Sequence, residues 1–131
     1  MKNFVTILSI VTITNLTQAQ TTTFTLSVQT ATLNQSTNKW IWEPKTDTRM
    51  IITMYPYDVY IDNNSKTKLH IISDGTSKKI DGGEIVIYDA LDQNQKSCTW
   101  SIVSWNDNSP NQLYLTYPHI MAIYTMSLEK P

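Results

Sequence analysis

GGEIVIYDALDQNQKSCTWSIVSW, the stretch from Gly82 to Trp105, decides the fold class. In its first half Ile85, Ile87 and Leu91 share one parity, with Asp89 among them, while Glu84, Val86, Tyr88, Ala90 and Asp92 share the other. In its second half Cys98, Trp100 and Ile102 alternate with Thr99, Ser101, Val103 and Trp105. Strand side chains point alternately to opposite faces, so this period of two, rich in β-branched and aromatic residues, predicts strands and not a helix. The polar run from Asp92 to Ser97 is made of turn formers and joins the two as a hairpin. Large apolar residues lie on both faces. One face belongs to a core; the other must be covered by neighbouring chain or by something that binds.

Working outward, Phe24, Leu26 and Val28 alternate with Thr23, Thr25 and Ser27, and Asn34 to Asn38 forms a turn cluster. Trp40-Ile41-Trp42 makes a short strand closed by Pro44. Met50 to Tyr55 alternates up to Pro56, Tyr57 to Asp62 resumes, and Leu69 and Ile71 alternate with Lys68, His70 and Ile72. Asp74 to Gly83 holds all 3 glycines and reads as a loop. After the hairpin, Leu113, Leu115 and Tyr117 form a strand, Pro118 breaks it, and Ile120 to Leu128 closes the chain. No apolar period of 3.6 residues appears. The expectation is an all-β domain, an antiparallel up-and-down meander of about eight strands. It forms a small closed or partly open barrel, with a β-sandwich as the alternative.

Length and address narrow the classes of function. The 131 residues suffice for one domain. Lys2, the apolar run Phe4 to Leu16 and the small residues Thr17 and Ala19 form a signal-peptide pattern over residues 1–19, leaving a domain of 20–131. Secretion or a bacterial periplasm is the expected location, with cleavage near Ala19. No second apolar run is long enough to span a bilayer, so a soluble mature protein is expected. The net charge is −1, with no basic cluster beyond Lys78-Lys79, which argues against nucleic acid as a partner. Cys98 is the only cysteine and cannot form a disulfide within the chain.

The pattern Trp40-x-Trp42, Ile51/Ile52, Val59/Ile61, Ala90-x-Asp92, Cys98 and the closing strand around Tyr124 resembles small exported all-β proteins of Gram-negative bacteria, a group with no assigned activity to carry over. At the level of architecture the chain also resembles lipocalin-like barrels, which implies ligand binding by analogy of fold. It departs from them in lacking a glycine two residues before its first tryptophan.

No familiar catalytic constellation emerges. Cys98, His70 and His119 carry no local nucleophile signature, and Cys98 sits among apolar neighbours as a small hydrophobe. Two distant histidines and one cysteine do not make a zinc site, and the scattered aspartates match no calcium loop, so no metal is expected. Asp81-Gly82-Gly83 precedes a strand, not a helix, which excludes a phosphate cradle and leaves no cofactor expected. The carboxylates Asp89, Asp92 and Glu84 are the candidates for acid–base hydrolysis. The unusual feature is aromatic: 4 Trp and 7 Tyr against 2 Phe. Core packing accounts for many of them, but a wet binding site would draw on Trp40, Trp42, Tyr55, Tyr57, Trp100 and Trp105. The expected function is a non-catalytic barrel that binds a small apolar ligand or a protein partner. The alternatives are a hydrolase using Asp89 and Asp92, and a structural envelope-associated protein.

Overall fold

The structure, a computed structural model, describes residues 21–62 and 66–127. The signal-peptide pattern and Leu128 lie outside the described residues. Among the described residues eleven strands occur in order: β1 (Thr21–Asn34), β2 (Lys39–Trp42), β3 (Thr46–Asp47), β4 (Ile51–Met54), β5 (Asp58–Asp62), β6 (Thr67–Ile71), β7 (Thr76–Ile80), β8 (Gly83–Asp92), β9 (Ser97–Trp105), β10 (Gln112–Thr116) and β11 (Ile120–Met126). All pairings are antiparallel. Eight strands follow one another as β1-β4-β5-β6-β8-β9-β10-β11, and β11 returns to pair with β1 from Thr25 to Thr32. The sheet therefore closes into a barrel, and the sandwich alternative falls away. Short β2, β3 and β7 lie beside this ring, on β1 and β8.

Closure works because β1 is long and changes partner along its length. Its first residues pair with β4, Thr21 to Phe24 against Met54 to Ile51, while its second half pairs with β2. At the junction the β1–β11 register slips between Thr25 and Ser27, a bulge that re-aims the strand. Thr25 secures the corner: its hydroxyl donates to the Thr48 carbonyl (2.5 Å) and accepts from the Met50 amide (2.9 Å).

The register settles which face of the central hairpin is internal. Val86, Ile102, Leu113, Tyr124 and Val28 are successive cross-strand partners around the barrel wall. Their parity contains Ala90, Cys98, Trp100, Leu115 and Met126, which join Ile52, Val59, Ile61, Leu69 and Ile71 in one buried core. Trp100 is the largest of the fully buried side chains, at 1% exposure. Ile85, Ile87 and Leu91 thus face outward. They are half-buried by lateral neighbours such as Val103, which is itself 2% exposed on that outer side.

Asp89 belongs to this outer parity and is exposed. The strand is not bulged there: Asp89 pairs in register with Thr99, and its carbonyl accepts from Ile72 N–H at 2.9 Å.

The stretch Asp74–Gly83 is not all loop, because β7 occupies Thr76–Ile80. TSKKI shows no apolar alternation because four of its five residues are exposed. Gly75, at φ +87°, makes the bend before it. A Cβ there would also press on the Tyr88 ring, so glycine is required twice over. At the other end, Gly83 lies under the Trp105 ring and against the Ser104 carbonyl. A methyl group there collides with backbone, which cannot rotate away. Gly83→Ala is expected to cost about 1–3 kcal/mol, read as a lower urea midpoint with an unchanged m-value.

Candidate functional site

The barrel interior opens beside β1. Between Trp42 and Ile51 the chain runs along the edge of β1, held by the Glu43 amide on the Thr30 carbonyl (2.9 Å) and by the pairing of Thr46 and Asp47 with Val28 and Ser27. Glu43 and Asp47 are four positions apart where their β1 partners Thr30 and Ser27 are three apart, so the segment arches at Pro44 and Lys45. A cleft of about 530 Å³ lies under it, lined by Val28, Thr30, Glu43, Pro44, Thr46, Thr48, Met50, Ala122 and Tyr124. Its floor is the core itself: Tyr124 belongs to the core, and Val28, Met50 and Ala122 pack against it. Its rim carries one carboxylate and three threonine hydroxyls. An apolar floor with a few polar groups at the mouth is the lining of a small-molecule site and the volume is in the usual range, though the cleft is a shallow one, open to solvent over much of its extent.

Trp100 lies behind this floor, its ring centroid 6.4 Å from that of Tyr124. Its buried Nε1–H finds no acceptor among the described residues. A buried donor left without a partner is uncommon and costly.

The six aromatic residues expected at a site are not brought together. Trp40 and Trp42 stand on β2, the latter exposed, opposite Leu33 and Ala31. Tyr55 and Tyr57 are exposed at the β4–β5 turn, where Tyr55 meets Tyr60 edge-to-face at 5.8 Å. Trp105 covers Gly82 and Gly83. None of the six lines the cleft: Trp100 lies behind Tyr124, and Trp42 directly precedes the lining residue Glu43. The lining residues gave little signal, since Val28, Thr30, Ala122 and Tyr124 meet only when β1 closes on β11.

The carboxylate candidates also part company. Asp89 and Asp92, three positions apart on β8, fall on opposite faces, so they do not form a catalytic pair. Asp92 is buried and instead organises the hairpin turn. Its Oδ1 accepts from Asn94 N–H (2.8 Å) and Lys96 N–H (2.9 Å), and its Oδ2 from the Tyr117 hydroxyl (2.7 Å). Burial pushes its pKa upward, but the Lys96 amide, the Tyr117 hydroxyl and the Asn94 amide together hold it below the usual carboxylate value. Cys98 shares this corner, its thiol directed at the Ala90 carbonyl (3.7 Å). Burial and then the charge of Asp92 push it up to about 11, despite an opposing hydrogen bond from Tyr117. Such a thiol stays protonated at neutral pH and is a poor nucleophile.

A second, polar depression of about 390 Å³ lies on the outer surface by Asp58, Lys68, His70 and Gln93. There His70 Nδ1 and Asp58 Oδ1 are 3.1 Å apart. Among the described residues that line the depression there is no serine, threonine or cysteine. Among the described residues no group of three or more His, Cys, Asp or Glu side chains is placed to hold a metal ion.

Fold and cleft together define an eight-stranded antiparallel meander barrel, closed laterally and open at one corner to a small, mostly apolar cleft. No family model, curated protein or solved structure matches the chain.

Proposed function

We propose that this protein is an exported, non-catalytic binding protein that carries a small, largely apolar molecule with a hydrogen-bonding head group. The observation behind the reading is the cleft floor: Tyr124 of the core, with Val28, Met50 and Ala122 packed against the core, faces a space of about 530 Å³. The apolar body of the ligand rests on Val28, Met50, Ala122 and Tyr124, and its head meets Glu43 and the threonines at the mouth. The unpartnered indole N–H of Trp100 next to Tyr124 supports a ligand or water that brings an acceptor inward. The likeness to lipocalin-like barrels, closed meanders with an open mouth, points the same way at the level of architecture. The signal-peptide pattern supports export. Strands β5, β6 and β10, of five residues each, span about 17 Å, which supports an aqueous barrel over one crossing a membrane.

A filling substitution tests the reading. Thr30 is exposed at the rim, so Thr30→Trp occupies the cleft without entering the core. Ligands found by quenching or enhancement of tryptophan fluorescence are expected to bind this variant at least about tenfold more weakly, with thermal stability kept. Equal binding by the variant places the ligand elsewhere.

A further inference from the structure

Closure of the ring removes most sheet edges, but β2, β3 and β7 each keep one side with no strand partner among the described residues, and of these β3 has only two residues, leaving β2 and β7 long enough to pair. The two edges differ. β7 carries Lys78 and Lys79 along an exposed strand, the usual protection against edge-to-edge pairing. Pairing β7 with its own copy about Lys78 would set two lysines face to face. β2 reads Lys39-Trp40-Ile41-Trp42 and is followed by Glu43, with no charge inside the Trp-Ile-Trp run. Ile41 and Trp42 are 51% and 45% exposed.

The backbone phase of β2 is fixed by its bond to β1. Glu43 donates its amide to Thr30, so by alternation Ile41 and Lys39 also address β1, while Trp40 and Trp42 direct their N–H and C=O groups outward.

We infer that β2 is a self-association edge, through which two copies of this chain pair antiparallel about a two-fold axis at Ile41. In that register Trp40 faces Trp42 of the second copy as a hydrogen-bonded pair, twice, giving four backbone bonds from the four outward groups of each chain. Ile41 meets Ile41 at the close, non-hydrogen-bonded spacing. Lys39 falls opposite Glu43 of the second copy at both ends. Within one chain these two residues are about 13 Å apart along the strand and do not reach each other. The sequence is therefore self-complementary in this register: basic, aromatic, aliphatic, aromatic, acidic. Pro44, the next outward position, has no N–H to give and ends the pairing run, which disfavours a slipped register.

The test is the solution mass of the purified protein at about 100 µM, by sedimentation equilibrium, beside three variants checked for unchanged far-UV circular dichroism. The wild-type protein is expected to be a dimer. Ile41→Lys sets like charges on the axis, and Lys39→Glu sets a second carboxylate against that of Glu43 in the other copy. Each raises the dissociation constant at least about tenfold. The double variant Lys39→Glu with Glu43→Lys regains the dimer. A wild-type monomer, or a dimer indifferent to Ile41→Lys, overturns the assignment. So does a double variant no better than Lys39→Glu alone.

Discussion

Trp100→Ala is expected to destabilise the barrel by about 3–5 kcal/mol, the range for removing a fully buried large aromatic. The side chain is 1% exposed and sits in the wall where β8, β9 and β10 meet, paired across to Tyr88 on one side and Leu115 on the other. A wall of backbone hydrogen bonds cannot collapse inward to refill the space, so the cost lies at the upper end. At roughly 3–5 °C per kcal/mol for a domain of this size, the melting temperature falls by about 10–20 °C. Should the variant fail to fold, Trp100→Phe serves. The indole N–H has no acceptor among the described residues to lose, so that change removes only volume and costs about 1–2 kcal/mol. Chemical denaturation of the two variants against wild type measures both. A Trp100→Ala cost below about 1 kcal/mol would mean the barrel is not packed around this ring.

The second large effect belongs to Asp92. Asp92→Ala leaves two backbone amides and the Tyr117 hydroxyl without their acceptor at a part-buried turn, and is expected to cost about 1.5–3 kcal/mol. Its pH dependence has a definite sign. The folded-state pKa lies below the unfolded value of about 4, so the native state holds fewer protons than the unfolded chain in this range. The contribution is fully present above the unfolded value and is lost as pH falls through the lowered folded value. Wild-type stability therefore declines on acidification below about pH 4, and Asp92→Asn flattens that decline while retaining acceptors for the turn amides. Denaturant midpoints between neutral pH and the acid limb check this. Parallel wild-type and Asp92→Asn curves would show that the carboxylate charge is not what the turn uses.

Both effects show which parts of the chain a sequence can declare. The central hairpin, its turn at Asp92–Ser97 and the breaks at Pro56 and Pro118 were legible, because alternation and turn chemistry are local. The all-β class and the meander followed from them. Which face of the hairpin is internal was not legible, since Ile85 and Ile87 are as apolar as Val86 and Tyr88. Only the closing register of β1 on β11 decides it. β7 was hidden for the opposite reason: a polar edge strand has no buried face to print on the sequence. The cleft was hidden because its floor joins Val28 to Tyr124 across most of the chain. The aromatic residues drew attention by type, yet the fold sets them in separate places: β2, the β4–β5 turn, the core and the glycine pair. Asp92 left a usable signal, a charged residue sharing parity with Ala90 on what proves to be the internal face, directly before a turn.

On the outer face of the hairpin Val103 and Ser101 are buried, while Ile85, Ile87 and Leu91 are half-buried. What stays open is the cleft by β1, and one measurement addresses it most directly. Wild type and Thr30→Trp, purified side by side from the producing cells, are compared by native mass spectrometry. The wild type is expected to carry a discrete added mass of small-molecule size that is lost on denaturation, and Thr30→Trp to lack it. If wild type and variant show the same bound mass, or both are bare, the cleft is not a carrier site.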